Sequence, residues 1–193
     1  MNDGYRLTDL ERRLHNLLMV GTIAAVDTQT ARCRVEVGSI TTTWLPWLTQ
    51  RAGPDRTWWA PEPGEQVLML SPSGDTAQAI VLPALYRAAH PAPGERVTHH
   101  VTEYADGTRI DYDREAGHLT VDCVGDVTIR GGRTLHIDFG GSITLDASDV
   151  TINAPVQVNA SVTASGDMVA DGVSQVDHIH DGDSGGKTSP PKR

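Results

Sequence analysis

The second half of this chain is short of bulk. The protein has a single Phe, Phe139, and none of its four Trp lies beyond residue 59. A sandwich core built from large inward-facing side chains is therefore disfavoured there. Cysteine is equally scarce: Cys33 and Cys123 fall in different expected modules, so no disulfide framework is implied and folding in a reducing cytoplasm is expected. No apolar run approaches the roughly 20 residues of a membrane helix, and the polar, acidic start lacks the apolar stretch of a signal peptide. Any contact with a membrane is then made from outside the lipid. Positive charge is thin where acids abound. Residues 101–181 hold fourteen Asp and Glu against four Arg, within a chain of net charge −9 and pI near 5.2. Such a surface repels phosphate backbones, and no nucleic-acid partner is expected.

What residues 119–176 do have is a ruler. Apolar pairs at i and i+2 recur every eight residues (Leu119/Val121, Val127/Ile129, Leu135/Ile137, Ile143/Leu145), then every six (Val150/Ile152, Val156/Val158, Val162/Ala164, Met168/Ala170). Alternation inside each pair is the strand period, and Gly, Asp, Ser and Asn fill the gaps as turn residues. This is a repeat of very short strands. One chain cannot bury a core with two apolar residues per strand, since a solitary β-solenoid takes about 20 residues per coil. Three identical chains wound about one axis, each supplying one wall per layer, solve the problem by cyclic symmetry. The drop from eight to six then predicts a needle that tapers toward its C-terminus, about 43 Å long for nine layers spaced roughly 4.8 Å. An antiparallel meander in a sandwich is the competing arrangement.

Ahead of the ruler, Thr8-Asp9-Leu10-Glu11 reads as a capping box. Leucines at 7, 10, 14, 17 and 18 continue it as an amphipathic helix, giving an N-terminal helical segment over 1–19 with residues 1–6 frayed. Residues 22–26, 33–37, 43–48, 66–70 and 79–83 read as five short strands, the third broken by Pro46. Together they predict a small Greek-key barrel of the OB type over 20–87. Trp44, Trp47, Trp58 and Trp59 all fall within it. The plainest expectation is that two of them fill the core and two cap it. With Arg51 and Arg56 they are also the candidate docking face for a protein partner, because Trp and Arg dominate interface hot spots. A linker over 88–96 leads to a hairpin turning at Asp106-Gly107, the first part of the needle segment 97–176.

The last segment, 177–193, opens with His178-Ile179-His180. In a strand, i and i+2 side chains share a direction, so both imidazoles can turn toward a threefold axis. Six nitrogens from three chains would then hold one structural ion, with iron favoured over nickel and zinc disfavoured by its preference for four ligands. Gly182-Asp183-Ser184-Gly185-Gly186 matches the surroundings of a serine-protease nucleophile, but only nine residues follow Ser184, too few for the pocket walls a triad needs. Asp181-Gly182-Asp183-Ser184-Gly185 also carries the opening ligands of a calcium loop without the later ones, so calcium near the tip is a minor expectation beside a solvated turn.

Trp44-Leu45-Pro46-Trp47-Leu48, Arg51-Ala52-Gly53, Arg56-Thr57-Trp58-Trp59-Ala60-Pro61, Gly64-Glu65-Gln66-Val67-Leu68 and the His-x-His end, in this order, resemble the baseplate assembly protein V family. These are the membrane-piercing central spikes of contractile-tailed phages, with relatives in R-type bacteriocins and type VI secretion tips. The resemblance covers nearly the whole chain. It implies an all-β homotrimer: an OB-type barrel preceded by a short helix, then an intertwined triple-stranded β-helix with a metal-bound tip. The barrel would seat on the baseplate hub at the end of the tail tube, and contraction would drive the needle through the outer membrane. It further implies a particle component assembled in the host cytoplasm. Larger relatives carry a lysozyme domain between barrel and needle; the linker over 88–96 leaves no room for one, so a non-enzyme is expected. The alternative is an OB module for oligosaccharide or single-stranded nucleic acid on a trimeric β-stalk.

Overall fold

Leucines at helical spacing form helix α1 over Asp3–Leu17 in the computed structural model, which describes residues 3–181 and 185–189. The expected capping box at Thr8 does not form. Thr8 sits inside the helix, and its hydroxyl donates to the Gly4 carbonyl at 3.1 Å. Asp9 instead accepts from Arg12 at 2.7 Å and Arg13 at 2.8 Å, pairs three and four residues on that support the helix they lie on. Those two hydrogen bonds, Arg12's first, hold the Asp9 carboxyl below its ordinary value. The helix ends where β1 begins, with no loop between them.

The barrel has six strands: β1 (Leu18–Asp27), β2 (Arg32–Val37), β3 (Ile40–Thr41), β4 (Leu45–Pro46), β5 (Gln66–Leu70) and β6 (Ile80–Leu85). They are ordered β3-β2-β1-β5-β6, with β4 paired to β2. Closure comes from the end of β4, where Trp47 bridges Val81 in parallel and the Leu48 amide donates to the Val81 carbonyl at 2.7 Å. The expected third strand shrinks to two residues at Pro46, which has no N–H for a ladder. Inside lie Ile23, Cys33, Val35, Leu45, Val67, Met69, Ala79 and Val81. A Cβ on Gly21 would collide with Val35 and Val37, so β1 crosses β2 at the one residue that permits the approach. The core is aliphatic. Contrary to expectation, no Trp is fully buried, and only Trp47 packs against it.

β7 (His99–Glu103), β8 (Arg109–Asp113) and β9 (His118–Asp122) form an antiparallel meander in the same compact unit as the barrel, Met1–Arg130. The Gly107 amide donates to the Tyr104 carbonyl at 3.0 Å, and Gly107 takes φ +92°, as the Asp-Gly turn requires. One meander face is charged: His99 Nδ1 lies 2.9 Å from Asp111, and Arg109 bridges Glu103 and Asp111 at 2.8 and 3.1 Å. Burial pushes the Asp111 carboxyl up, but hydrogen bonds from Arg109 and His99 outweigh it and leave the group below its ordinary value. The other face carries Ile110 opposite Val121 and Tyr112 opposite Leu119, all four exposed.

Between β9 and β10 (Val169–Ala170) the single chain forms no strand, and the ruler's large apolar side chains from Val127 to Met168 are 49–78% exposed. The second unit, Gly131–Arg193, has its ordered pairing at the far end. There β10 and β11 (Val173–Ser174) pair across Asp171 and Gly172, at φ 50° and 79°. Ala170 therefore opens a tight hairpin and does not continue the six-residue ruler as a straight rung.

Candidate functional site

Two regions gather the chemistry. On the barrel, the segment after β4 folds back on itself. Thr49 and Thr57 hydroxyls lie 2.8 Å apart, the Thr57 amide donates to the Arg51 carbonyl at 3.0 Å, and Ala52 bridges Arg56. This small loop carries Arg51 and Arg56 outward, with Arg51 only 4.0 Å from exposed Asp55. Behind it lies a groove of 770 Å³, between Leu48, Thr57, Trp58, Trp59 and Pro83. Trp58 meets Trp47 edge-on at 5.7 Å, and Trp59 stacks on Tyr104 at 6.0 Å. Trp58 and Trp59 are 62% and 68% exposed, an unusual amount of aromatic surface to leave in water. Trp44 stands apart from the groove and carries the Arg34 guanidinium over its ring at 5.4 Å. Of the six expected docking residues, the structure thus brings Trp47, Trp58 and Trp59 together, sets Arg51 and Arg56 on the adjoining loop, and separates Trp44. Tyr104 was not anticipated. It lies 45 residues beyond Trp59, outside the barrel strands, and only the return of the β7–β8 turn onto the barrel places it there. The groove's one ionisable lining residue is Glu65, whose carboxylate accepts from the Glu62 amide at 2.9 Å.

Near the C-terminal end, His178 and His180 lie with ring centroids 5.1 Å apart and planes at 89°. His178 Nδ1 is 3.0 Å from the Ser174 carbonyl. A carbonyl only accepts, so Nδ1 is the donor in this contact, and in the neutral ring Nε2 keeps its lone pair. This is the tautomer that presents Nε2 to a metal, held by the kind of outer hydrogen bond that metal-ligating histidines make. Ser174 Oγ accepts from the Val176 and Asp177 amides, and Asp167 closes the hairpin by accepting from Gln175 and Val176. The Ser174 hydroxyl first, then those amides, holds the Asp167 carboxyl below its ordinary value. His180 is tied to Thr188 by two bonds, its amide to Oγ1 at 2.8 Å and its carbonyl from the Thr188 amide at 2.9 Å. Among the described residues no third His, Cys, Asp or Glu joins the pair, so one chain offers two ligands. Gly182, Asp183 and Ser184, of the protease-like and calcium-like motifs, lie outside the described residues.

Two comparisons bear on this geometry. Residues 19–86, nearly the span of the six-stranded barrel, match the family of the type VI secretion system and phage-baseplate injector OB domain. The chain is also 35% identical over 210 residues to the spike protein of Escherichia phage P2, covering 99% of this chain and 100% of that one. The chain belongs to the phage-baseplate spike family. The family's OB domain is the barrel that carries the Trp58–Trp59 groove, and the full-length match extends the likeness through the ruler to the histidine pair.

Proposed function

We propose that the protein is the central spike of a contractile tail: a homotrimer that caps the baseplate hub through its barrel and pierces the target cell's outer membrane mechanically, without catalysis. One observation carries this reading. The ruler and the apolar meander face put a long series of aliphatic side chains in water, and none of the described residues buries them. Exposed apolar surface on this scale marks an interaction site. Its even spacing suits a partner with the same spacing, which is another copy of the chain in register. Among the described residues no helix is long and apolar enough to cross a membrane. His178 and His180, with His178 already in the ligating tautomer, would hold an iron ion shared by three chains. The ion supplies bonds that tie three fraying ends together. The test is the mass of the purified protein by sedimentation, with imaging for a tapered rod. A stable wild-type monomer refutes the reading. Particles whose spike is replaced by a barrel-only chain are expected to bind cells and contract without permeabilising the outer membrane.

The Trp58–Trp59 groove supports a second reading, an oligosaccharide-binding barrel on a trimeric stalk. Glycan-array binding that disappears in Trp58→Ala and Trp59→Ala would favour it over hub docking.

A further inference from the structure

The barrel is apolar on both sides of one of its walls. In β1, Met19, Gly21 and Ile23 point inward, so Leu18, Val20 and Thr22 point outward. In β5 the buried pair is Val67 and Met69, and in β6 it is Val81, leaving Leu68, Leu70, Ile80 and Leu82 on the outer face. The register then builds rows. Leu18 pairs with Leu70 and Leu70 with Ile80; Val20 pairs with Leu68 and Leu68 with Leu82. Directly opposed residues share a face. Six aliphatic side chains therefore form a block two deep and three strands wide where an antiparallel sheet ordinarily shows polar residues to water, with Leu68, Ile80 and Leu82 half-buried within it. Leu18, Val20 and Leu70 are 59%, 51% and 39% exposed.

The same chain carries a second bare stripe. Leu7, Leu10 and Leu14, on one side of α1, are about 60% exposed. The helix touches its own barrel through a neighbouring side. Asn16 reaches the Gly74 carbonyl, the Ser71 amide bonds the Leu17 carbonyl, and the Arg13 backbone lies so close to Gly74 that a Cβ there would collide with it. Since α1 runs into β1 without a loop, it cannot fold back across its own sheet. A 15-residue helix is also marginal in water by itself, so its leucines need cover from elsewhere.

We propose that α1 of each chain lies across the outer face of β1, β5 and β6 of the neighbouring copy, so that three barrels close into a ring. The inference rests on the trimeric reading above and goes beyond it by naming a contact outside the needle. Two different patches meeting across each interface is the heterologous pairing that a threefold ring requires; without closure it would run on as a filament. The dimensions agree. Three strands at about 4.8 Å span make a bed roughly 10 Å wide, the diameter of one helix. The six most exposed side chains of the two patches together present on the order of 500 Å² of carbon surface, well below the roughly 1,600 Å² total of a stable free complex. A tethered neighbour suits such a surface better than a free protein, because assembly through the needle raises its effective concentration.

Hydrogen exchange on the full-length protein tests this, read beside its mass. In the wild-type trimer the α1 amides are expected to exchange about tenfold or more slowly than in Leu10→Glu or Leu68→Glu, the equivalent of ~1.4 kcal/mol of packing. The β1 and β5 amides stay protected in both variants if the barrel is intact. Should Leu68→Glu unfold the barrel, the double variant Leu10→Cys/Leu68→Cys decides: mild oxidation is expected to give covalent dimers and trimers on denaturing gels, beyond what either single variant gives. A trimer whose α1 exchanges as freely as the variants' overturns the proposal and leaves the trimer standing. So does protection, or cross-linking to another protein, that appears only in assembled particles, because the face then belongs to the hub. A monomer refutes the trimeric reading itself, and this contact with it.

Discussion

Replacing Ile143 by Asp separates the needle's assembly from the fold of the chain that makes it. Ile143 is 59% exposed, so the substitution removes no intrachain packing of consequence, and barrel and meander are expected to be unchanged. A side chain of this size exposes roughly 100 Å² at that level; at ~25 cal/mol per Å², covering it is worth about 2.5 kcal/mol. Three symmetric copies forfeit about 7.5 kcal/mol together. Asp also brings three carboxylates toward one axis, where each unpaired buried charge costs several kcal/mol more. The trimer is therefore expected to fail at neutral pH. The pH dependence has a definite sign. Burial and like charge raise an axial carboxyl above its free value of about 3.9, so assembly favours the protonated form. Association is fully available below that free value and is lost as pH rises through the raised one. Sedimentation across pH 4–8 is expected to show wild-type trimer throughout, with the variant monomeric at pH 7 and recovering mass on acidification. Trimeric Ile143→Asp at pH 7, with unaltered melting, would falsify the axial placement of the ruler.

Elemental analysis of protein purified without a nickel column is expected to find about one iron per three chains, and His178→Ala/His180→Ala to lose it. Unchanged metal content in that variant removes these residues from the site. Burial of Cys33 in the barrel core raises its thiol to about 11, so its stabilising contribution is complete below the ordinary value near 9 and falls away as pH rises through 11. Wild-type melting temperature is expected to drop more than that of Cys33→Ala between pH 9 and 11, and parallel curves would refute this. Trp58→Ala and Trp59→Ala are expected to lower spike incorporation into baseplates while leaving trimer mass unchanged, since hot-spot truncation commonly costs 2 kcal/mol or more. Normal incorporation in both variants moves the hub contact off this groove.

Much of this protein was legible residue by residue. The strand segments around Val35, Val67 and Val81, the turn at Asp106-Gly107 and the existence of the leucine helix are local patterns that the structure contains, though the helix differs at its start. The aliphatic ruler is equally plain as a spacing, but the single chain forms no strand between β9 and β10 and leaves its apolar pairs exposed, so the spacing alone does not become structure. Helix α1 starts earlier than its apparent cap because Asp9 is held by Arg12 and Arg13, and Thr8 bonds back to Gly4. That competition is invisible in a Thr-x-x-Glu spacing. Of Trp44, Trp47, Trp58 and Trp59, type alone puts two in the core and two as its cap, yet eight smaller residues fill the barrel and leave most of this aromatic surface outside. Volume decides that, and volume is known only once Trp47 has met Val81 and closed the barrel. The same holds for Leu18, Leu70 and Ile80. Alternation along a strand says that two faces differ; only the partner strands across the barrel decide which of two apolar faces becomes interior and which stays outside.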